Sequence, residues 1–204
     1  RNLYVKNDDN IETFERLFSQ LNIDQYVTRQ FLDRLIDYVD SDQLPEPAGA
    51  EDLFYISDNS YNLTTDTLLA DYSQIKDLQT LSPVEVTLFK NLLCAIPDVT
   101  NQFNINSLAP DNFLVFNAHF PEISLDEMQQ IIINRPEFGY LNFKSFSEIN
   151  NLLDNRINTD RLIFKPEFLE IRFEHRINDQ SYFFITLVDL KNRSNKMTVR
   201  SISK

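Results

Sequence analysis

Glycine is nearly absent from this chain, with two in 204 residues, and tryptophan is absent altogether. A phosphate-cradling loop or a dinucleotide-binding turn needs glycine at several positions, so nucleotide chemistry is disfavoured. Basic residues are also scarce, 19 Lys and Arg against 31 Asp and Glu, which leaves a net charge of -12 and a pI near 4.5. Affinity drawn from phosphates requires a basic surface, so no nucleic-acid partner is expected. One cysteine excludes an internal disulfide and does not identify a redox compartment. Cys94 sits among Leu92, Leu93, Ala95 and Ile96 and reads as a small buried hydrophobe rather than a reactive thiol. No apolar run is long enough to cross a bilayer, and no signal peptide opens the chain. Because the chain starts on Arg1 rather than Met, it is read as trimmed, and an anchor upstream stays open.

What is present is an ordinary globular composition, 42% hydrophobic, enough for one large or two small domains. Leu3, Tyr4 and Val5 form a short strand-like patch that needs a partner sheet. Phe14, Leu17, Phe18 and Leu21 then recur at helical spacing, and Asp24 is placed to cap a second helix whose apolar face is Phe31, Leu32, Leu35, Ile36 and Val39. Residues 53–72 read as an irregular excursion pinned by Phe54, Tyr55, Tyr61 and Tyr72. Ser82-Pro83-Val84-Glu85 predicts a helix start, with Pro97 closing that helix, and Ser124 to Glu127 and Ser145 to Glu148 predict two more. Beyond residue 160 the period falls to two. Leu169, Ile171, Phe173 and Ile177 alternate with charged residues, Asn178-Asp179 predicts a turn, and Tyr182 to Leu190, apolar on both faces, predicts a central strand. Asn192 to Asn195 predicts a second turn and Met197 to Ile202 a third strand. The expected fold class is α+β, an antiparallel sheet domain of residues 1–9 plus 158–204 interrupted by a large α-helical domain of residues 10–157.

The chemistry concentrates in residues 33–58, where a helix gives way to a loop dense in carboxylates. Pro45 and Pro47 cannot continue the helix, and Gly49 is expected to allow a turn with positive φ. Folding back brings Asp40 and Asp42 toward Glu51 and Asp52, with Asp37, Glu46 and Asp58 nearby. So many carboxylates raise one another's pKa values unless a cation intervenes. With no His or Cys in the stretch, calcium is the cation that suits an all-oxygen set, although the spacing is not that of an EF-hand. A solvated acidic loop is the alternative reading of the same residues.

The wording D-x-D-x-x-P-x-x-x-G-A-E-D-x-x-Y, here Asp40, Asp42, Pro45, Gly49, Ala50, Glu51, Asp52 and Tyr55, closely resembles the signature of the type II secretion minor pseudopilin K family (GspK). Leu69-Ala70-Asp71 with Ser73, Phe103 to Leu108, Ile132 to Arg135, and Phe146 extend the resemblance, while Ser73-Gln74-Ile75 departs from the family's usual Ser-Glu-Leu. The resemblance implies a pseudopilin-type sheet lacking its N-terminal helix here, with a bulky α-domain inserted. It implies a non-enzymatic tip component of the pseudopilus that assembles with the I-type and J-type minor pseudopilins, sits in the periplasm and is anchored in the bacterial inner membrane by that helix. It also implies structural calcium in the α-domain, carried to Asp40, Asp42, Glu51 and Asp52, and extended to Asp71. Two other classes compete. A helix-hairpin-helix DNA binder is opposed by the charge and by the glycine-free His119 to Ser124 turn. Catalysis by Cys94 with His119 or His175, or by a carboxylate pair, is opposed by the cysteine's apolar run and by the expected inward packing of His175.

Overall fold

The computed structural model describes residues 2–5, 8–58, 63–99, 101–151, 157–177, 180–191 and 197–203, the last segment by its backbone alone. Two compact units divide after Ile163. The first is helical and the second is an antiparallel sheet, an α+β chain with strands confined almost entirely to the C-terminal end.

In the first unit, α1 (Asp8–Gln20) buries Phe14, Leu17 and Phe18, the stripe its spacing predicts. α2 (Gln25–Val39) starts where Asp24 accepts the Tyr26 amide. The two helices meet through aromatic rings, with Phe18 5.0 Å from Phe31 and stacked 4.5 Å from Phe89 of α4 (Pro83–Phe89). Burying each such ring contributes roughly 1.5–3 kcal/mol. α5 (Phe113–His119) is tied to α1 by Arg16, which donates to the Ala118 carbonyl at 2.8 Å, and by Gln20, which donates to Asn117 at 2.6 Å. α6 (Leu125–Ile133) begins in the expected Ser124–Glu127 capping box. α7 (Phe143–Asn150) does not begin as expected. Its cap is Asn142, with Ser145 at the third helical position, one turn before the Ser145–Glu148 pair could act.

Two further expectations change. The helix from Pro83 ends at Phe89 rather than near Pro97, because Leu3 donates its amide to the Cys94 carbonyl at 2.8 Å and Asn2 accepts the Ile96 amide. Cys94 therefore lies half-buried in an extended bridge with Asn2, not on a helix. The same contacts place residues 2–5 in the first unit, whereas the sequence reading joined residues 1–9 to the terminal sheet, and the division falls at 163 rather than 157. A two-residue parallel pair, β1 (Phe103–Asn104) with β2 (Leu162–Ile163), closes this unit.

In the second unit, β3 (Phe168–Ile177), β4 (Gln180–Asp189) and β5 (Met197–Ser203) pair in that order, so the strand apolar on both faces is central. The two expected turns, Asn178-Asp179 and Asn192 to Asn195, lie outside the described residues, as does Tyr61. Leu169, Phe173 and Ile177 share a face of β3 yet stay 46–50% exposed, and His175 is exposed rather than packed inward. His119, by contrast, is buried beside the rings of Phe103 and Phe120.

Candidate metal centre

The acidic loop is built from α2. Its sequence predicts one apolar face, but from Phe31 onward the helix is buried nearly all round, while its first turns stay partly exposed. Asp33 is 1% and Asp37 0% exposed, while Ile36 and Val39 are only half-buried. The two aspartates turn their oxygens to the loop. Asp37 accepts the Glu46 amide at 3.0 Å and Asp33 accepts the Ala48 amide at 3.0 Å, with Arg29 paired to Asp33 from the solvent side. Gly49 is required for space, not for a positive φ as the sequence suggested. Among the described residues only Gly139 is a glycine with positive φ, whereas a Cβ on Gly49 would lie 2.7 Å from Asp37 Cγ and closer still to its Oδ2.

That packing sets Glu51 against the end of α2. One carboxylate oxygen from each of Asp40, Asp42 and Glu51 lies within 4.8 Å of the others. Oxygens that each sit 2.3–2.6 Å from a shared calcium can be separated by at most about 5 Å, so the spacing fits one such ion. Glu51 is 5% exposed, and neither of its oxygens has a hydrogen-bond partner; buried Asp40 Oδ1 has none either. It heads α3 (Asp52–Ser57) as its N-cap residue but makes no side-chain capping bond. Burial first, then the charges of Asp37, Asp40, Asp42 and Asp66, push the Glu51 carboxyl up to about 7. Asp40 is raised by burial and next by Asp42, and Asp37 is raised chiefly by burial. A buried acid without a donor and among like charges is the environment a divalent cation relieves.

The other two sequence-predicted ligands are engaged elsewhere. Asp52 accepts both the amide and the hydroxyl of Thr64, at 3.0 and 2.8 Å, which fastens the far arm of the excursion. Asp71 caps the short helical turn 72–76, accepting the Ser73 amide at 2.8 Å while Gln74 bonds back to the Asp71 amide. Sequence reasoning missed Asp66. Thr65 donates its amide and its hydroxyl to the Tyr38 carbonyl, each at 3.1 Å, which returns the excursion to the end of α2 and brings Asp66 into the electrostatic field of Asp40 and Glu51. Nothing local to Asn62-Leu63-Thr64-Thr65-Asp66 signals that return. Phe54 and Tyr55 do pin the excursion, Phe54 under the Arg34 guanidinium at 4.5 Å and Tyr55 fully buried, while Tyr72 donates its hydroxyl to the Val86 carbonyl at 2.6 Å.

Residues 1–98, which contain this loop, match the family described as Type II secretion system (T2SS), protein K. Those residues carry this chain's similarity to protein K. Type II secretion system protein K of Klebsiella pneumoniae is 33% identical over 139 residues, 66% of this chain and 42% of that protein. The protein K of Dickeya chrysanthemi is 25% identical over 178 residues, 84% of this chain and 48% of the relative. The chain thus spans about half the length of the curated protein K relatives it matches. Its fold is that of a chain in the crystal structure of the GspK-GspI-GspJ complex from the enterotoxigenic Escherichia coli type 2 secretion system, with a TM-score of 0.77 at 19% identity over 99% of this chain and 74% of that one. Among the described residues no helix is long and apolar enough to cross a membrane.

Proposed function

We propose that this chain is the periplasmic part of a K-type minor pseudopilin, a non-enzymatic component that assembles with the I-type and J-type minor pseudopilins at the tip of the type II secretion pseudopilus. The bulk of the helical unit suits a tip position, since the same volume repeated along a filament would collide with its neighbours. A segment outside this chain would anchor the protein in the inner membrane. The observation that carries the reading is the match of residues 1–98, acidic loop included, to protein K, and the shared fold over 99% of the chain supports it. Mixing the chain with I-type and J-type partners of the same species and following size-exclusion elution tests it. A ternary peak is expected, and separate elution of all three overturns it.

The acidic loop is a calcium staple in this reading. Asp40, Asp42 and Glu51 would hold the ion, with Asp66 adding negative potential, and the bound cation would tie the loop and the excursion to the end of α2. A ligand that binds only the folded state stabilises it by about 2.7 kcal/mol at a hundredfold excess over its Kd. Calcium titrated into chelator-treated protein should therefore raise the melting temperature by roughly 5–11 °C for a domain of this size. No calcium-dependent rise would overturn the staple while leaving the assembly reading to its own test.

A further inference from the structure

We propose that Asp33 and Asp37 are positioning residues that latch the loop and deliver Glu51 to the cation; the proposal rests on the calcium reading above. From Pro45 to Ala50 every backbone amide has an acceptor. Pro45 and Pro47 carry no amide hydrogen. Of the rest through Ala50, the Glu46 amide goes to Asp37 at 3.0 Å, the Ala48 amide to Asp33 at 3.0 Å and the Ala50 amide to Asp37, while the Gly49 amide closes a tight turn onto the Glu46 carbonyl at 2.9 Å. The loop thus has no ladder or helix of its own to satisfy its backbone, and two carboxylates one helical turn apart on α2 take that place. Ala50, held by Asp37 and 1% exposed, is the residue immediately before Glu51. Asp37 stands outside the three-carboxylate group, and both its oxygens already face the Glu46 amide, at 3.0 and 3.3 Å. Its contribution is therefore geometric. It sets where the ligand backbone runs, and the Cβ-free Gly49 is the clearance that lets it come so close. Residues that orient metal ligands from behind typically change affinity by 10–100-fold when removed.

The test uses the 204-residue chain, calcium affinity by calorimetry, and terbium luminescence lifetimes, which count water molecules on the bound ion. Asp37→Ala should weaken calcium about 10–100-fold with the number of bound waters unchanged, and Asp37→Asn, which keeps one acceptor oxygen, should lose less. Glu51→Gln, by contrast, should raise the water count. Gly49→Ala should weaken binding in the parent and much less in the Asp37→Ala background, because the added methyl then meets no carboxylate. Far-UV circular dichroism and melting of the metal-free variants check that the fold persists. Unchanged affinity in Asp37→Ala overturns the latch. So does an extra bound water in Asp37→Ala, which would make Asp37 a ligand, or a Gly49→Ala loss that ignores Asp37. A parent that binds neither ion overturns the calcium reading and the latch together.

Discussion

Replacing Glu51 with glutamine should stabilise this protein when metal is withheld and destabilise it when calcium is supplied. Glu51 ionises near its ordinary value of 4.5 in the unfolded chain and at about 7 in the folded one. Between those values the folded state binds more protons than the unfolded state, so stability falls as pH rises and is lowest above pH 7. A displacement of that size corresponds to about 3 kcal/mol at pH 8, an upper bound since part of the strain relaxes. Glutamine keeps the shape, carries no charge, and brings amide donors among the neighbouring carboxylates. Metal-free Glu51→Gln should therefore melt above the metal-free parent at pH 8 by up to roughly 6–12 °C, with the gap closing at pH 5 where Glu51 is largely protonated. Saturating calcium should reverse the order, since the parent gains a ligand charge that the variant lacks. Circular-dichroism melts of both proteins at the two pH values, with chelator and with calcium, carry the whole comparison. A metal-free variant less stable than the parent at pH 8 would refute the reasoning, because Glu51 would then have a favourable partner in the folded state.

Two more outcomes follow from the helical unit. Asn142→Ala should cost about 1 kcal/mol in urea unfolding while Glu148→Ala, at the partner position of the sequence-suggested box, should change stability by less than about 0.5 kcal/mol. Gly139 has φ of +77° and a Cβ there would sit 2.8 Å from the Asn106 side chain, which accepts the Tyr140 amide and donates to the Tyr140 carbonyl. Gly139→Ala should therefore cost more than about 1 kcal/mol in the same assay, and a neutral result would mean the turn simply rearranges.

Local chemistry was well represented in the sequence. The Asp24 and Ser124 caps, the α1 stripe and the central β4 strand all rest on residues within a few positions of one another, where side-chain spacing alone selects the backbone. The same spacing misled at α7, where the helix starts at Phe143 with Asn142 as its cap, one turn before the Ser145–Glu148 pair. It misled again at Cys94, because a contact with Asn2, far away in the chain, ends the helix earlier than Pro97 would.

The acidic loop divides along the same line. By itself the sequence determined that carboxylates crowd residues 40–52, that two prolines keep α2 from running through them, and that oxygen chemistry suits the stretch, since these depend only on residue type and order. Tertiary structure decided which carboxylates meet. It brought Asp40, Asp42 and Glu51 within 4.8 Å, spent Asp52 on Thr64 and Asp71 on Ser73, returned Asp66 from the excursion, and buried Asp33 and Asp37 on a helix face that reads as solvent-facing. The reason is that an aspartate satisfies a loop amide, a helix start or a cation equally well by composition. Only the distance to the nearest unsatisfied donor or acceptor, set by the folded chain, selects among them.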